Sequence, residues 1–137
     1  MVKIVYDMEV MQIISMFEQM TGAHVKDCIM GDPVVFVVHE AEIAKAIGKG
    51  GKHVRDLERK LKKRVKIVEF NSDVLQFTRN LVAPLELGNV VLEENMLILS
   101  AKDLKTRGLL IGRSASNLRA YEAVIQRYFP IKEMRVV

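Results

Sequence analysis

The segment best suited to bind an anion is Gly48-Lys49-Gly50-Gly51, a glycine-rich run with a lysine inside it. The sequence on both sides has helical periodicity, so this run is predicted to join two helices. The N-terminus of a helix presents unpaired backbone N–H groups and the positive end of the helix dipole. Glycine lets a phosphate approach such a terminus, because it has no Cβ and adopts positive φ without strain. We therefore expect a phosphate-binding loop, with Lys49 inside it and Lys52 directly behind it.

Two familiar nucleotide-binding loops are disfavoured by the spacing. A P-loop requires Gly-x-x-x-x-Gly-Lys followed by Ser or Thr after a strand, whereas here the lysine is at the wrong distance and His53 replaces the hydroxyl residue. A dinucleotide-binding fingerprint requires a third glycine where His53 stands. That fingerprint also lies between a strand and a helix, whereas this loop is predicted between two helices. The remaining structural alternative is a plain helix–helix turn that uses its glycines as caps.

The charge distribution also favours a polyanionic ligand. Residues 45–66 contain ten Lys or Arg against two acidic residues, Asp56 and Glu58, a local net charge of +8. Because the whole chain is +4, the remaining residues sum to −4. A basic block on an otherwise acidic protein is the electrostatic footprint of a polyanion-binding surface, although a solvated helix face gives the same pattern.

The helix predicted after the loop has an apolar side and a basic side. Its core-facing positions are expected to be Val54, Leu57 and Leu61. The positions on or beside the opposite face are Lys52, Arg55, Arg59 and Lys62. The apolar side would attach the helix to a core, while the basic side would follow a phosphate backbone.

The helices and strands predicted around this loop occur twice along the chain. In each half, periodicity and turn residues predict helix, strand, strand, helix, helix, strand, an α+β fold. The predicted elements of the first half are residues 7–21, 23–30, 34–38, 40–47, 52–61 and 65–70. Those of the second half are residues 73–83, 89–92, 97–100, 103–111, 116–128 and 131–137. The boundary is expected near Asn71, which gives domains of residues 1–70 and 71–137.

A second loop follows half a chain length after the first, at Gly112-Arg113-Ser114-Ala115. Its first glycine is kept, but Ser114 replaces the middle glycine and Ala115 replaces the closing one. The added methyl of Ala115 is harmless if the residue stays helical and restrictive if φ must be positive. We expect a weaker second site, supported by Arg113 and Arg119, or a loop that is mainly structural.

Several function classes are disfavoured by the composition. Cys28 is the only cysteine, so no intramolecular disulfide forms, and a reducing cytoplasm is the expected compartment. No apolar run approaches the roughly 20 residues of a membrane span, and the first seven residues do not resemble a signal peptide. His24, His39 and His53 fall on different elements, without metal-ligand spacing. No nucleophile–base arrangement is recognisable, so we expect neither catalysis, nor a metal, nor a cofactor, nor a small-molecule substrate.

Ile-Gly-x-x-Gly between two helices, followed by a basic helix and a strand, resembles the core of the KH domain. With a helix and a strand placed before that core, each half resembles the prokaryotic, type II form, an α/β sandwich. Two such domains in tandem resemble the archaeal NusA-like proteins over nearly the whole chain, most closely at residues 21–29 and 46–52.

The resemblance implies single-stranded RNA binding in transcription elongation or termination, beside RNA polymerase and the nascent transcript. The expected RNA contacts are Ile47, Gly48, Lys49, Gly50, Gly51, Lys52, Val54, Arg55, Arg59, Gly112, Arg113, Ser114, Ala115 and Arg119. Within this set, Ile47 and Val54 would support the splayed bases. A ribosome-associated or translation-related KH protein, or a polymerase-docking scaffold with secondary RNA binding, is the alternative. Base preference, oligomeric state and the choice between termination and antitermination stay open.

Overall fold

A computed structural model describes residues 7–137 of the chain. Within these residues the polypeptide divides into two compact units, between Asn71 and Ser72. The expectation of no signal peptide concerns the first seven residues, of which residues 1–6 lie outside the described range. No helix among the described residues is both long and apolar enough to cross a membrane.

The first unit contains three helices and a three-stranded sheet in the predicted order. Its elements are α1 (Met8–Thr21), β1 (Val25–Ile29), β2 (Val34–Val38), α2 (Ile43–Ile47), α3 (Lys52–Leu61) and β3 (Val65–Glu69). The sheet order is β1-β2-β3, with β1 antiparallel and β3 parallel to the central strand. Two parallel neighbours require a crossover, and α2 with α3 provides it. The loop between α2 and α3 is therefore held by a connection that packs on the sheet.

Local sequence signals explain where the elements of the first unit begin and end. The Asp7 carboxylate accepts a hydrogen bond from the Val10 N–H and caps the start of α1. Gly22 caps its end in the left-handed conformation, with φ of 76°. Strand β2 is buried at all five positions, as its unbroken apolar run Val-Val-Phe-Val-Val predicts.

The core of the first unit joins the helices to the central strand. Phe17 of α1 stacks on Phe36 of β2 with ring centroids 4.3 Å apart, and both are fully buried. Leu57 fixes α3 to the same core and is also fully buried. Two carboxylates also form hydrogen bonds between a helix and a strand. Glu18 of α1 accepts from the Val25 N–H of β1 at 2.8 Å, and Glu58 of α3 accepts from the Val65 N–H of β3 at 3.0 Å. The basic helix is therefore rigidly seated on its apolar side.

The second unit repeats this topology. Its elements are α4 (Val74–Val82), β4 (Leu87–Glu93), β5 (Met96–Ala101), α5 (Leu104–Ile111), α6 (Ser116–Gln126) and β6 (Glu133–Val136). The sheet order is β4-β5-β6, again antiparallel and then parallel. Asp73 and Asp103 cap α4 and α5 through their side chains, and Glu94-Asn95 form the β4–β5 turn with φ of 48° and 68°. A buried Phe77 packs edge-on against Tyr128 at 5.6 Å.

The predicted order of helix, strand, strand, helix, helix and strand is confirmed in both units. The differences are at element ends. The helix expected from residue 40 begins at Ile43, and the last strand, expected from residue 131, begins at Glu133. The helix expected to reach residue 128 ends at Gln126. Helix and strand ends are set by capping and tertiary hydrogen bonds, so periodicity places them only approximately.

Candidate nucleic-acid interface

The first loop, residues 48–51, reverses the chain between α2 and α3 with three glycines at positive φ. Gly48 has φ of 77° and ψ of 166°, Gly50 has φ of 63°, and Gly51 has φ of 75°. Lys49 to Gly51 form a single 3₁₀ turn, and α3 starts at Lys52 with ordinary helical angles. The combination at Gly48 is essentially restricted to glycine. Glycine is therefore required at Gly48, whereas at Gly50 and Gly51 it removes the strain that a side chain would add.

The backbone donors of this loop divide into two groups. The N–H groups of Gly48, Gly51 and Lys52 already donate to the carbonyls of Ala44, Gly48 and Lys49, respectively. Within the part of the chain that the structure describes, no acceptor is paired with the N–H of Lys49 or Gly50, and both residues are exposed. An anion at this loop would therefore meet two free amide donors. The turn itself uses the other three donors of residues 48–52, a division that the glycine pattern alone does not reveal.

The second loop, residues 112–115, has the same backbone conformation without the same glycines. Gly112, Ser114 and Ala115 have φ of 72°, 54° and 61°, against 77°, 63° and 75° at their counterparts in the first loop. Ala115 is therefore left-handed, and its methyl is strained rather than harmless. A left-handed non-glycine residue costs about 1–2 kcal/mol. The fold of the second unit maintains this conformation against that cost.

A side chain from the second helix locks each loop from behind. His53 Nδ1 lies 3.0 Å from the carbonyl oxygen of Lys45, in the last turn of α2. In the second unit, Asn117 Nδ2 donates to the carbonyl oxygen of Leu109 at 2.9 Å. We call these two contacts the latches. They were not predicted from the sequence, where His53 was considered as a departure from nucleotide-binding motifs and as a possible metal ligand. The available signal was that His53 and Asn117 stand at equivalent positions of the repeat, each eight residues after its partner.

The latch side chains also explain the first glycine of each loop. A Cβ added to Gly48 would lie 2.7 Å from His53 Nδ1 and 2.8 Å from its Cγ. A Cβ added to Gly112 would lie 2.6 Å from Asn117 Cγ. Both separations are far below van der Waals contact, so no other residue fits at either position without displacing the latch.

The arginines beside the two loops have different partners. Arg55 Nη1 donates to the carbonyl of Gly50, which holds its guanidinium against the first loop. Arg119 occupies the equivalent position in α6 but pairs with Glu122 at 2.7 Å. Glu122 is mostly buried and also accepts from the Met134 N–H of β6. Arg55 therefore contributes charge at its loop, whereas the charge of Arg119 is compensated.

The other basic residues of the +8 segment are unevenly available. Lys45, Arg59 and Arg64 have acidic neighbours at 3.7, 3.4 and 3.0 Å, respectively. Burial lowers the pKa of Lys66, which lies on β3. Lys49 and Lys52 are exposed at the loop, without an acidic partner among residues 7–137. Lys60, Lys62 and Lys63, at and just beyond the C-terminal end of α3, are also exposed and without an acidic partner among residues 7–137. Positive charge therefore lies at both ends of α3, and the free amides of the loop adjoin its N-terminal end.

The remaining predicted contacts flank the two loops. Ile47 ends α2 and Val54 lies in the first turn of α3, and both are half-buried. Arg113 is exposed within the second loop. Arg59 is 77% exposed and lies two turns into α3 from the loop. The structure therefore brings Ile47, Val54 and the loop together and leaves Arg59 at a distance along the helix.

The opposite end of α2 carries a charged contact with the start of β1. His24 Nδ1 lies 2.9 Å from Glu42 Oε1, and the His24 N–H donates to Glu42 Oε2 at 3.1 Å. The hydrogen bond with His24 lowers the pKa of the Glu42 carboxyl.

Among residues 7–137, no group of three or more His, Cys, Asp or Glu could hold a metal ion.

Comparison with known proteins places this geometry in a family. A family model described as a KH domain matches residues 12–75, which include the first loop. The chain is 34% identical over 128 residues to the Probable transcription termination protein NusA of Methanococcus vannielii, covering 90% of this chain and 74% of that protein. The protein of the same name from Halococcus morrhuae is 34% identical over 127 residues, with coverage of 90% and 91%.

The fold is shared with a solved structure. The crystal structure of APE1850 matches with a TM-score of 0.76 and 24% identity, covering 96% of this chain and 100% of that chain. Both units therefore have the α+β fold of tandem type II KH domains. The chain belongs to the family of archaeal NusA-like KH proteins.

Proposed function

We propose that this protein is a single-stranded RNA-binding transcription factor that grips nascent RNA through the loop at residues 48–51. The observation that carries the proposal is the pair of amides at Lys49 and Gly50 that have no acceptor among residues 7–137, beside three cationic side chains at the start of a helix. Membership of the KH family supports RNA as the polyanion, because KH loops clamp the backbone of single-stranded nucleic acid. The relatives are named as transcription termination proteins, which supports a transcriptional role.

The contacts proposed for RNA separate into phosphate and base contacts. The amides of Lys49 and Gly50 bind phosphate oxygens, and the side chains of Lys49, Lys52 and Arg55 supply charge. Ile47 and Val54 form an apolar border on which the bases rest. Arg59 extends the positive field along α3. Such a site reads the backbone strongly and base identity weakly, and it requires neither a metal, a cofactor nor a catalytic residue.

The second loop is proposed as a weaker extension of the same function. Its backbone geometry is retained, and the amides of Arg113 and Ser114 have no acceptor within the described residues. Its charge is lower, because Arg113 is its only loop cation and Arg119 is compensated by Glu122. We assign one KH domain to residues 1–70 and the other to residues 71–137. A cytoplasmic location and RNA polymerase as protein partner complete the proposal.

The test is a fluorescence-anisotropy titration of short single-stranded RNAs at several salt concentrations. The variant Lys49→Asp/Gly50→Asp places two carboxylates where phosphates are expected, and aspartate tolerates the left-handed conformation at Gly50. Lys49→Asn/Gly50→Asn is the matched neutral control. We expect strong loss of affinity and a shallower salt slope for the Asp variant, and a smaller loss for the Asn variant.

Other outcomes select the alternative functions. Equal binding by the wild type and the Asp variant would mean that the basic helix binds RNA nonspecifically. Absence of RNA binding would favour the polymerase-docking scaffold. RNA binding without polymerase binding would favour a ribosome-associated role. The corresponding Arg113→Asp/Ser114→Asp variant measures the second loop, for which a loss smaller than at the first loop is expected.

A further inference from the structure

We infer that His53 and Asn117 are positioning residues for RNA: each latches its loop so that the two free amides are aimed at phosphate before RNA arrives. This inference deepens the proposed function and rests on it. Neither side chain needs to contact RNA to act in this way. The same contact formed by two different residue types in two units indicates a requirement of the loop rather than an accident of one sequence.

The geometric evidence is the correspondence between the latches. Both latch residues are the second residue of the helix after the loop, and both bond to a carbonyl eight residues earlier. The separations are 3.0 Å for His53 and 2.9 Å for Asn117. The two accepting carbonyls, of Lys45 and Leu109, also stand at equivalent positions of the repeat. The latch therefore joins the last turn of one helix to the first turn of the next, across the base of the loop.

The chemistry of the two side chains explains why they are interchangeable here. In histidine the Nδ1 atom is attached to Cγ, and in asparagine the Nδ2 atom is attached to Cγ, so both place a nitrogen donor at the same distance from the backbone. Glutamine places its donor one bond further away, and alanine has none. A carbonyl can only accept, so a neutral His53 must carry its proton on Nδ1.

The consequence for RNA binding is preorganisation. The loop has no buried side chain of its own; Ala46 of α2 and Leu57 of α3 meet in the core beneath it, and the latch with the packed glycine joins the two helices at the base of the loop. Without the latch, the helices stay packed in the core but the loop keeps only the contact from Arg55, so RNA must order the loop on binding. Ordering a flexible segment lowers affinity without removing any direct contact.

The experiment compares His53→Ala, His53→Asn and His53→Gln in the full chain, with the same RNAs and anisotropy assay. We expect His53→Ala and His53→Gln to bind about fivefold to tenfold more weakly, in line with loss of one hydrogen bond and added loop disorder. His53→Asn is expected to bind within twofold of the wild type, because the second unit uses asparagine for this contact. Circular dichroism checks that each variant is folded, and the contrast between the Gln and Asn variants keeps the test decisive if the Ala variant unfolds.

A second measurement tests the latch independently of RNA. Long-range ¹H–¹⁵N NMR of the free protein, at a pH where His53 is neutral, should show the ring protonated on Nδ1. A proton on Nε2 would overturn the latch, and equal RNA affinity of the wild type and His53→Ala would overturn its positioning role while leaving the proposed function intact. Equal losses in the Ala and Asn variants would instead assign His53 to direct RNA contact. If the wild type binds no RNA, the proposed function fails together with the positioning role, whatever the NMR result.

Discussion

The two loops allow the stability cost of a Cβ in the left-handed conformation to be measured twice. A Cβ can be added to the first loop by Gly50→Ala, and a side chain can be removed from the second by Ser114→Gly. Gly50 has φ of 63°, and a Cβ added there meets no atom within 4 Å. Gly50→Ala therefore changes only backbone preference. Ser114 has φ of 54° at the equivalent position, so Ser114→Gly removes the same strain from the second unit.

The expected magnitude follows from two opposing effects. A left-handed non-glycine residue costs about 1.5 kcal/mol, within the range of about 1–2 kcal/mol. Adding a Cβ also restricts the unfolded chain, which stabilises the protein by about 0.7 kcal/mol. The net expectation for Gly50→Ala is a loss of about 0.8 kcal/mol in the free energy of unfolding, and for Ser114→Gly a similar gain.

Gly108 is the matched control. It lies within α5 outside the positive-φ region, and a Cβ there also meets no atom within 4 Å. Gly108→Ala should therefore stabilise the second unit by roughly 0.5–1 kcal/mol, the reverse of the effect at Gly50. The same chemical change in the same open space is predicted to have opposite signs, because only the backbone conformation differs.

Native-state hydrogen exchange reads the two units separately, through amides of Val34–Val38 in β2 and Met96–Ala101 in β5. A change of about 0.8 kcal/mol alters the exchange rate of globally protected amides about fourfold. Faster exchange in β2 for Gly50→Ala and slower exchange in β5 for Ser114→Gly are expected. If Gly50→Ala and Gly108→Ala move stability in the same direction, the assignment of a strained loop backbone is wrong.

Two further predictions concern the arginines and one helix cap. Arg55→Ala should weaken RNA binding and lower the slope of log K against log salt by about 0.7. The RNA affinity of Arg119→Ala should stay within twofold of the wild type, because Arg119 is paired with Glu122. Equal effects of the two substitutions would contradict that pairing. The hydrogen bond from the Thr106 N–H lowers the pKa of Asp103 below its ordinary 3.8. Its stabilising effect is therefore fully present above pH 3.8 and is lost as pH falls through the lowered value. Thermal melts should be measured from neutral to strongly acidic pH. At the acidic end the wild type should lose its higher melting temperature relative to Asp103→Ala, while the difference between Asp103→Asn and Asp103→Ala persists. A constant difference in melting temperature between the wild type and Asp103→Ala would refute the assignment.

Local sequence signals were sufficient for the architecture. Amphipathic periodicity and turn residues located every α-helix and strand of the described residues, with errors confined to their ends, whereas the short 3₁₀ turns within the two loops were not predicted. The repeat of element order and motif position identified the second loop, and the glycines marked where the backbone turns. These properties depend on neighbouring residues along the chain, so they can be predicted from the sequence.

The details of the site depended on contacts between distant residues. Arg55 and Arg119 stand at equivalent positions in the two helices that follow the loops, yet one donates to the loop and the other to a mostly buried carboxylate. Both were expected RNA contacts, Arg55 at the main loop and Arg119 at the weaker one. A long, flexible arginine side chain pairs with whichever acceptor the fold brings near it. That acceptor differs between the two units.

A repeated α+β unit with a glycine-rich loop ahead of a basic helix could be predicted from the residue pattern alone. The packing of each unit leaves particular loop amides free, holds Ser114 and Ala115 at positive φ, and places His53 against the carbonyl of Lys45. The two kinds of property differ in the range of the interactions that produce them. Helical and strand periodicity is a local property of the chain, whereas a hydrogen-bond partner or a strained dihedral is imposed by the packing of the whole unit.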